Sequence, residues 1–154
     1  MSGKEELTKI AYEMQLYREE AQVLQQQLGN LQLNYASVEL AIQTLENIAK
    51  LGKGDQMLLP IGSGAYIKSK VEDNEVALVD VGAGVVVEKS IPDAVKFLGT
   101  RINDMDSTRE KLQKNFVEVS NRLKSLEESA NKLMQKMQNP VAEKLDKEEH
   151  QEYR

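Results

Sequence analysis

The residues best placed for chemistry in this sequence are two glycine pairs, Gly62-Ser63-Gly64 and Gly82-Ala83-Gly84. Closely spaced glycines can cradle a phosphate, because backbone N–H groups then approach the anion without a side chain between them. A dinucleotide loop requires G-x-G-x-x-G ahead of a helix, and a P-loop requires G-x-x-x-x-G-K-[ST]. Neither pattern occurs, and each pair is followed by a strand pattern. We therefore interpret both pairs as turns and predict no nucleotide site.

The sequence also lacks the side chains that metal binding and nucleophilic catalysis require. The sequence has no cysteine, and His150 is its one histidine, so there is no second histidine or cysteine to share a metal ion. No nucleophile with a neighbouring base can be assembled from these residues, nor can a pair of carboxylates in a pocket. We predict that the protein is not an enzyme and that it has no cofactor and no metal site.

Composition indicates long helices and protein partners. The 154 residues allow one domain over 1–154, and a content of 29% charged and 5% aromatic residues is typical of coiled coils. A net charge of −5 argues against the basic surface that binds nucleic acid. No signal-like segment and no apolar run of about 18 residues is present. We expect a soluble, cytoplasmic protein that binds neither nucleic acid nor membrane.

The apolar pattern of residues 7–50, before the glycine pairs, predicts one helix of a coiled coil. The apolar positions alternate steps of three and four: Leu7, Ile10, Met14, Tyr17, Ala21, Leu24, Leu28, Leu31, Tyr35, Val38, Ile42, Leu45 and Ala49. A sustained 3.5-residue repeat keeps its apolar stripe facing a partner only if the helices supercoil.

Residues 91–138 predict a second helix of the coiled coil, with an apolar stripe as long as the first one. Ser90 can cap this helix and Pro92 fits its first turn. Its apolar stripe runs from Val95 to Met137 in the same rhythm, so the two helices can fold into an antiparallel coiled-coil hairpin.

Arg109 is the one charged residue in these stripes. In an antiparallel pairing it comes close to Leu31, Tyr35 or Val38. A polar side chain in the seam typically fixes the register at some expense of stability; a role in binding a ligand or a partner is the alternative.

Residues 56–89 between the helices predict two β-hairpins, each of the form strand, glycine pair, strand. Val76 and Leu78 lie on one face of the third strand, and Ala77, Val79 and Val81 lie on the other. Apolar faces with nothing in this chain to cover them would aggregate, so we expect the hairpins to pair with other chains.

After the second helix, residues 139–154 predict a polar, flexible tail, because Pro140 ends the heptads.

The sequence resembles prefoldin α subunits, most closely the archaeal form. The resemblance covers residues 7–137 as architecture, and its specific segments are Leu59-Pro60-Ile61, Gly64-Ala65-Tyr66-Ile67 and Val79-Asp80-Val81-Gly82-Ala83-Gly84-Val85-Val86-Val87-Glu88. It implies a mainly α fold with a small β part: a long antiparallel coiled-coil hairpin with two β-hairpins inserted at its turn. It also implies an ATP-independent chaperone in which two α and four β subunits join through their hairpins into a hexamer. The coil tips then hold unfolded proteins and pass them to a group II chaperonin.

This resemblance assigns two sets of residues. The assembly set is Val76, Leu78, Val79, Val81, Val85, Val86 and Val87. The set expected to bind unfolded protein at the loose helix ends is Leu7, Ile10, Leu133, Met134 and Met137, because methionine and leucine on a mobile surface adapt to many partners. One alternative is that these five residues merely complete the seam. Another is that the protein is a structural coiled-coil adaptor that oligomerises through its β-hairpins and docks defined protein partners.

Overall fold

The computed structural model describes residues 2–139. Its elements in chain order are α1 (Gly3–Ala49), β1 (Gln56–Gly62), β2 (Ala65–Lys70), β3 (Val76–Asp80), β4 (Val86–Ser90) and α2 (Ile91–Gln138). Two small antiparallel β-hairpins therefore lie between two long helices in the chain, which confirms the predicted fold class. The predictions for Pro140, His150 and the tail beyond Asn139 fall outside the described residues.

The described residues form two compact units, each treated by itself. The terminal unit comprises residues 2–29 and 110–139, and the hairpin unit comprises residues 30–109.

In the terminal unit the two helices pack along their apolar stripes. Leu24, Val119 and Leu126 are buried, and the other stripe residues are mostly half-buried, as expected where only two helices cover each other. Ser2 caps α1 by accepting a 3.3 Å hydrogen bond from the Glu5 N–H. At Gly3 a Cβ would lie 3.0 Å from the Met137 sulfur. The start of α1 therefore packs against the end of α2.

In the hairpin unit a small core forms where α2 begins. Val71, Val79, Ile91, Ala94 and Leu98 are its buried side chains. Ser90 ends β4 and also caps α2, since its hydroxyl accepts a 3.3 Å hydrogen bond from the Asp93 N–H, as the sequence predicts.

Two side chains from segments between the helices and strands, Asp55 and Asn74, hold the end of α1. The Gly52 N–H donates to the Asp55 carboxylate at 2.7 Å, and the Asn74 amide donates to the Leu51 carbonyl at 2.7 Å. The apolar stripe shifts by one residue here, because Ala49 is exposed while Ile48 is half-buried. The prediction that Ala49 completes the stripe is therefore wrong, and the helix makes its last turn at this point.

Both hairpins turn on the glycine pairs. Ser63 and Ala83 each have a φ of 52°, and the glycines on either side of them also have positive φ. Residues with side chains rarely adopt this left-handed region, whereas glycine enters it readily. The interpretation of the pairs as turns is confirmed.

The second hairpin differs from its prediction in two respects. First, β3 ends at Asp80, and Val81 belongs to the turn, where its N–H donates to the Val85 carbonyl at 2.9 Å. Second, Val79 is only 7% exposed, and it lines a groove together with Leu40 and Leu98 of the helices. The prediction that nothing in the chain covers this hairpin is therefore wrong for the face of β3 that carries Val79.

Candidate functional site

The first candidate site is the set of exposed apolar side chains on the two hairpins. Leu78 is 75% exposed, next to buried Val79, because successive side chains of a strand point to opposite faces. We call the exposed set the hairpin surface; it consists of Leu58, Ile61, Tyr66, Ile67, Leu78, Val81, Val85 and Val86.

Of the seven residues predicted for assembly, four lie on this hairpin surface. They are Leu78, Val81, Val85 and Val86. Val76 and Val87 are half-buried, and Val79 pairs with Val87 across the ladder. Val79 is one of the buried side chains of the small core in the hairpin unit.

The four members from the first hairpin were missed by sequence reasoning. In β1, Leu58 is exposed between half-buried Met57 and Leu59, whereas Tyr66 and Ile67 are neighbours in β2 and are both exposed. Alternation could have identified Leu58, but it gives no signal for Tyr66 and Ile67, which are both exposed although neighbouring side chains of a strand point to opposite faces.

Each hairpin is a separate two-stranded sheet. Two-stranded sheets are marginally stable by themselves, and their outer edges present unpaired backbone groups. Such edges accept further strands, with main-chain hydrogen bonds giving affinity and apolar side chains adding buried area. The hairpin surface is thus suited to pairing with strands of other subunits.

Phe97 attaches the second hairpin to α2. The Lys89 ammonium of β4 lies 5.3 Å from its ring centroid, and the Arg101 guanidinium lies 4.9 Å from it. Arg101 also donates a hydrogen bond to the Asp80 carbonyl, while the Asp80 carboxylate accepts one from the Gly82 N–H at 2.8 Å. Both strands of the hairpin are therefore tied to one side-chain pair of the helix. Neither Phe97 nor Arg101 lies in the apolar stripe, so periodicity gives no signal for them.

The second candidate site lies in the terminal unit, where α1 begins and α2 ends. An open groove of about 460 Å³ has Ile10 and Leu133 in its lining. The remaining lining residues are polar or charged: Glu6, Lys9, Glu13, Ser129, Lys132 and Lys136. We call this the end groove.

Two of the five residues predicted for binding unfolded protein line the end groove, namely Ile10 and Leu133. Met134 and Met137 are each 42% exposed on α2. Leu7 is half-buried in the stripe. The structure therefore brings the methionines and the groove residues to the same end of the terminal unit, while Leu7 also serves the seam.

Arg109 in the hairpin unit has partners from its own chain. Its guanidinium lies 5.3 Å from the Tyr35 ring centroid and 2.8 Å from the Asp106 carboxylate. Tyr35 is one of the three residues predicted to face it. These contacts favour the register interpretation of Arg109 over a ligand site.

Residues 2–139 lack two further features. No helix there is long and apolar enough to cross a bilayer. The same residues contain no group of three or more metal-ligating side chains close enough to hold an ion.

Comparison with known proteins gives consistent matches. The family model described as "Prefoldin subunit" matches residues 17–136. "Prefoldin subunit alpha" of Pyrococcus horikoshii is 37% identical over 135 residues, covering 87% of this chain and 91% of that protein. "Prefoldin subunit alpha" of Thermofilum pendens is 31% identical over 121 residues, covering 79% of this chain and 94% of that protein.

Solved structures agree with these matches. A chain of the filamentous PFD from Methanocaldococcus jannaschii superposes with a TM-score of 0.63 at 25% identity, covering 75% of this chain and 95% of that one. The prefoldin beta subunit from Thermococcus strain KS-1 superposes with a TM-score of 0.54 at 15% identity, covering 82% of this chain and 90% of that one. The second likeness shows a shared fold.

Proposed function

This chain belongs to the prefoldin family of non-enzymatic chaperone subunits, and from that premise we propose that it holds unfolded polypeptides, without ATP, at the end groove. The observation that carries the proposal is the pair of exposed methionines, Met134 and Met137, beside the groove residues Ile10 and Leu133. Unbranched, polarisable methionine side chains repack against many apolar partners. A site of this kind suits unfolded segments of different sequence.

The same proposal gives the hairpin surface its role in assembly. Two copies of this chain combine with four prefoldin β subunits, and strands from neighbouring subunits add to the edges of the hairpins. Support comes from the exposure of Leu78, Val81, Val85 and Val86 together with the two-stranded sheets. Burying these side chains against partner strands removes apolar area from water, which favours association.

The final step of the proposed function is delivery of the held polypeptide to a group II chaperonin in the cytoplasm. Membership in the prefoldin family is what supports this step. It is tested by mixing the client-loaded complex with a group II chaperonin and following the transfer of a labelled client by size-exclusion chromatography.

Aggregation of a chemically denatured client tests the holding function. The complex assembled with β subunits is expected to suppress light scattering in the absence of ATP. In the double variant Met134→Ser with Met137→Ser, roughly threefold more complex should be needed for the same suppression, because less apolar area is offered to the client. Val117→Ser is the matched control, since Val117 is 54% exposed on the same helix and does not line the end groove.

Two results would contradict the proposal. Equal losses in the methionine variant and the Val117 control would exclude a specific site at the helix ends. Failure of the unaltered complex to suppress aggregation would favour the coiled-coil adaptor.

A further inference from the structure

The end groove carries a local charge opposite to that of the chain. The chain has a net charge of −5, yet three lysines line the groove, namely Lys9, Lys132 and Lys136. Of the two glutamates in the lining, Glu13 already lies 3.8 Å from the Arg122 guanidinium. Glu6 is thus the one acidic lining residue without such a neighbour among the described residues.

The lysines stand directly beside the apolar side chains of the groove. Lys9 precedes Ile10 on α1, and Lys132 precedes Leu133 on α2. Lys136 lies one helical turn after Lys132, so the two lysines lie on the same helix face, and both line the groove together with Leu133. Within residues 2–139 the ion pairs closer than 4 Å are Arg109 with Asp106 and Arg122 with Glu13, so none of the three lysines has a described carboxylate at that distance.

From this arrangement we propose that the end groove selects client segments in which acidic side chains flank apolar ones. The inference rests on the proposed holding function and names the class of segment that the groove prefers. Ile10 and Leu133 supply apolar contact, which does not discriminate between charges. The lysine stems extend this apolar surface while their ammonium groups stay at the rim, where they attract carboxylates and repel basic side chains.

The size of the preference follows from the exposure of the rim. Exposed ion pairs contribute little individually, so two or three of them alter affinity by about threefold to tenfold. Salt screens such pairs over distances near 10 Å, and the preference should therefore fade at high ionic strength. Residues 140–154 of the chain, which include five acidic residues together with Val141 and Leu145, are the competing occupant that the experiment must separate.

The test uses the assembled complex and three labelled peptides with identical spaced leucines. The flanking positions are Glu in the first peptide, Gln in the second and Lys in the third. At low salt the Glu peptide should bind about threefold to tenfold more tightly than the Lys peptide, with the Gln peptide between them. The double variant Lys132→Glu with Lys136→Glu should reverse this order. Lys111→Glu with Lys114→Glu, two exposed lysines of α2 outside the groove lining, should leave it unchanged.

The possible outcomes distinguish a failure of the charge selection from a failure of the proposed holding function. Equal binding of the three peptides, or no binding by a complex that still suppresses client aggregation, overturns the charge selection alone. An order that survives the charge reversal at Lys132 and Lys136 also overturns it. Binding of the Glu peptide only after removal of residues 140–154 would make that segment the occupant and overturn the proposal. Loss of both peptide binding and aggregation suppression would refute the proposed function itself.

Discussion

The guanidinium of Arg109 lies 5.3 Å from the ring centroid of Tyr35, so the one charged residue of the apolar stripes faces an aromatic ring of the other helix. A cation over an aromatic face is attracted by the ring quadrupole. Asp106, which lies 2.8 Å away, balances the charge from the same helix. The contact fixes which turn of α2 faces Tyr35 within the hairpin unit.

Replacing Arg109 should loosen the register of the two helices while changing the free energy of unfolding little. Arg109→Leu is expected to change the free energy of unfolding by less than about 1 kcal/mol, because the added apolar burial offsets the lost cation–π contact. Spin labels at the exposed positions 34 and 107 should then show a broader distance distribution, since nothing polar specifies the register. An unchanged, narrow distribution would show that Arg109 does not set the register.

Arg101 should stabilise the second hairpin. Arg101→Ala removes both the hydrogen bond to the Asp80 carbonyl and the contact with the Phe97 ring, and we expect a loss of about 1–2 kcal/mol in urea unfolding. Arg101→Lys keeps a cation near the ring and should recover part of the loss. Lys96→Ala, at an exposed position of the same helix, serves as the control. If all three variants are equally stable, the attachment through Phe97 contributes nothing.

The same glycine-to-alanine change should have opposite effects at two positions. Gly84 has a φ of 74°, so Gly84→Ala places a side chain in the left-handed region and costs about 1 kcal/mol. Gly99 lies inside α2, and a Cβ there meets nothing within 4 Å, so Gly99→Ala should stabilise by roughly 0.5–1 kcal/mol. Thermal unfolding of the two variants measures the difference. Changes of the same sign would contradict the assigned turn geometry.

Leu78 should matter for association with β subunits and little for the folding of the chain. Leu78→Asp puts a charge where a partner strand would cover an apolar side chain, and the dissociation constant of the assembly should rise at least about tenfold. Sedimentation velocity measures the assembly, and circular dichroism checks that the helices remain. Val117→Asp, at another exposed apolar position, should assemble normally. Normal assembly of Leu78→Asp would remove this residue from the interface.

The helices and turns could be predicted from sequence because both depend on local patterns. The three-four spacing determines which face of each helix is apolar, and the glycine pairs match the positive φ values at Ser63 and Ala83. The functional surfaces depend on packing between distant residues. Alternation distinguishes Leu78 from Val79, but it does not tell which of the two is buried, and in the fold that residue is Val79.

The charges at the end groove were beyond sequence reasoning for the same reason. Lys9 and Lys132 are far apart in the sequence. The sequence pattern predicts for each only a solvent-exposed position on a helix. Only the packing of α1 against α2 places both in the lining of one groove. Phe97 was missed because it lies outside the apolar stripe and acts through Lys89 and Arg101.

Photochemical cross-linking to an unfolded client tests the central claim most directly. A photoreactive side chain is placed in turn at position 134, at position 117 and at position 78 of the chain in the assembled complex. If polypeptides are held beside the end groove, the denatured client should cross-link strongly from position 134 and weakly from positions 117 and 78. Cross-linking that is equal at the three positions, or strongest from position 78 on the hairpin surface, would contradict the account.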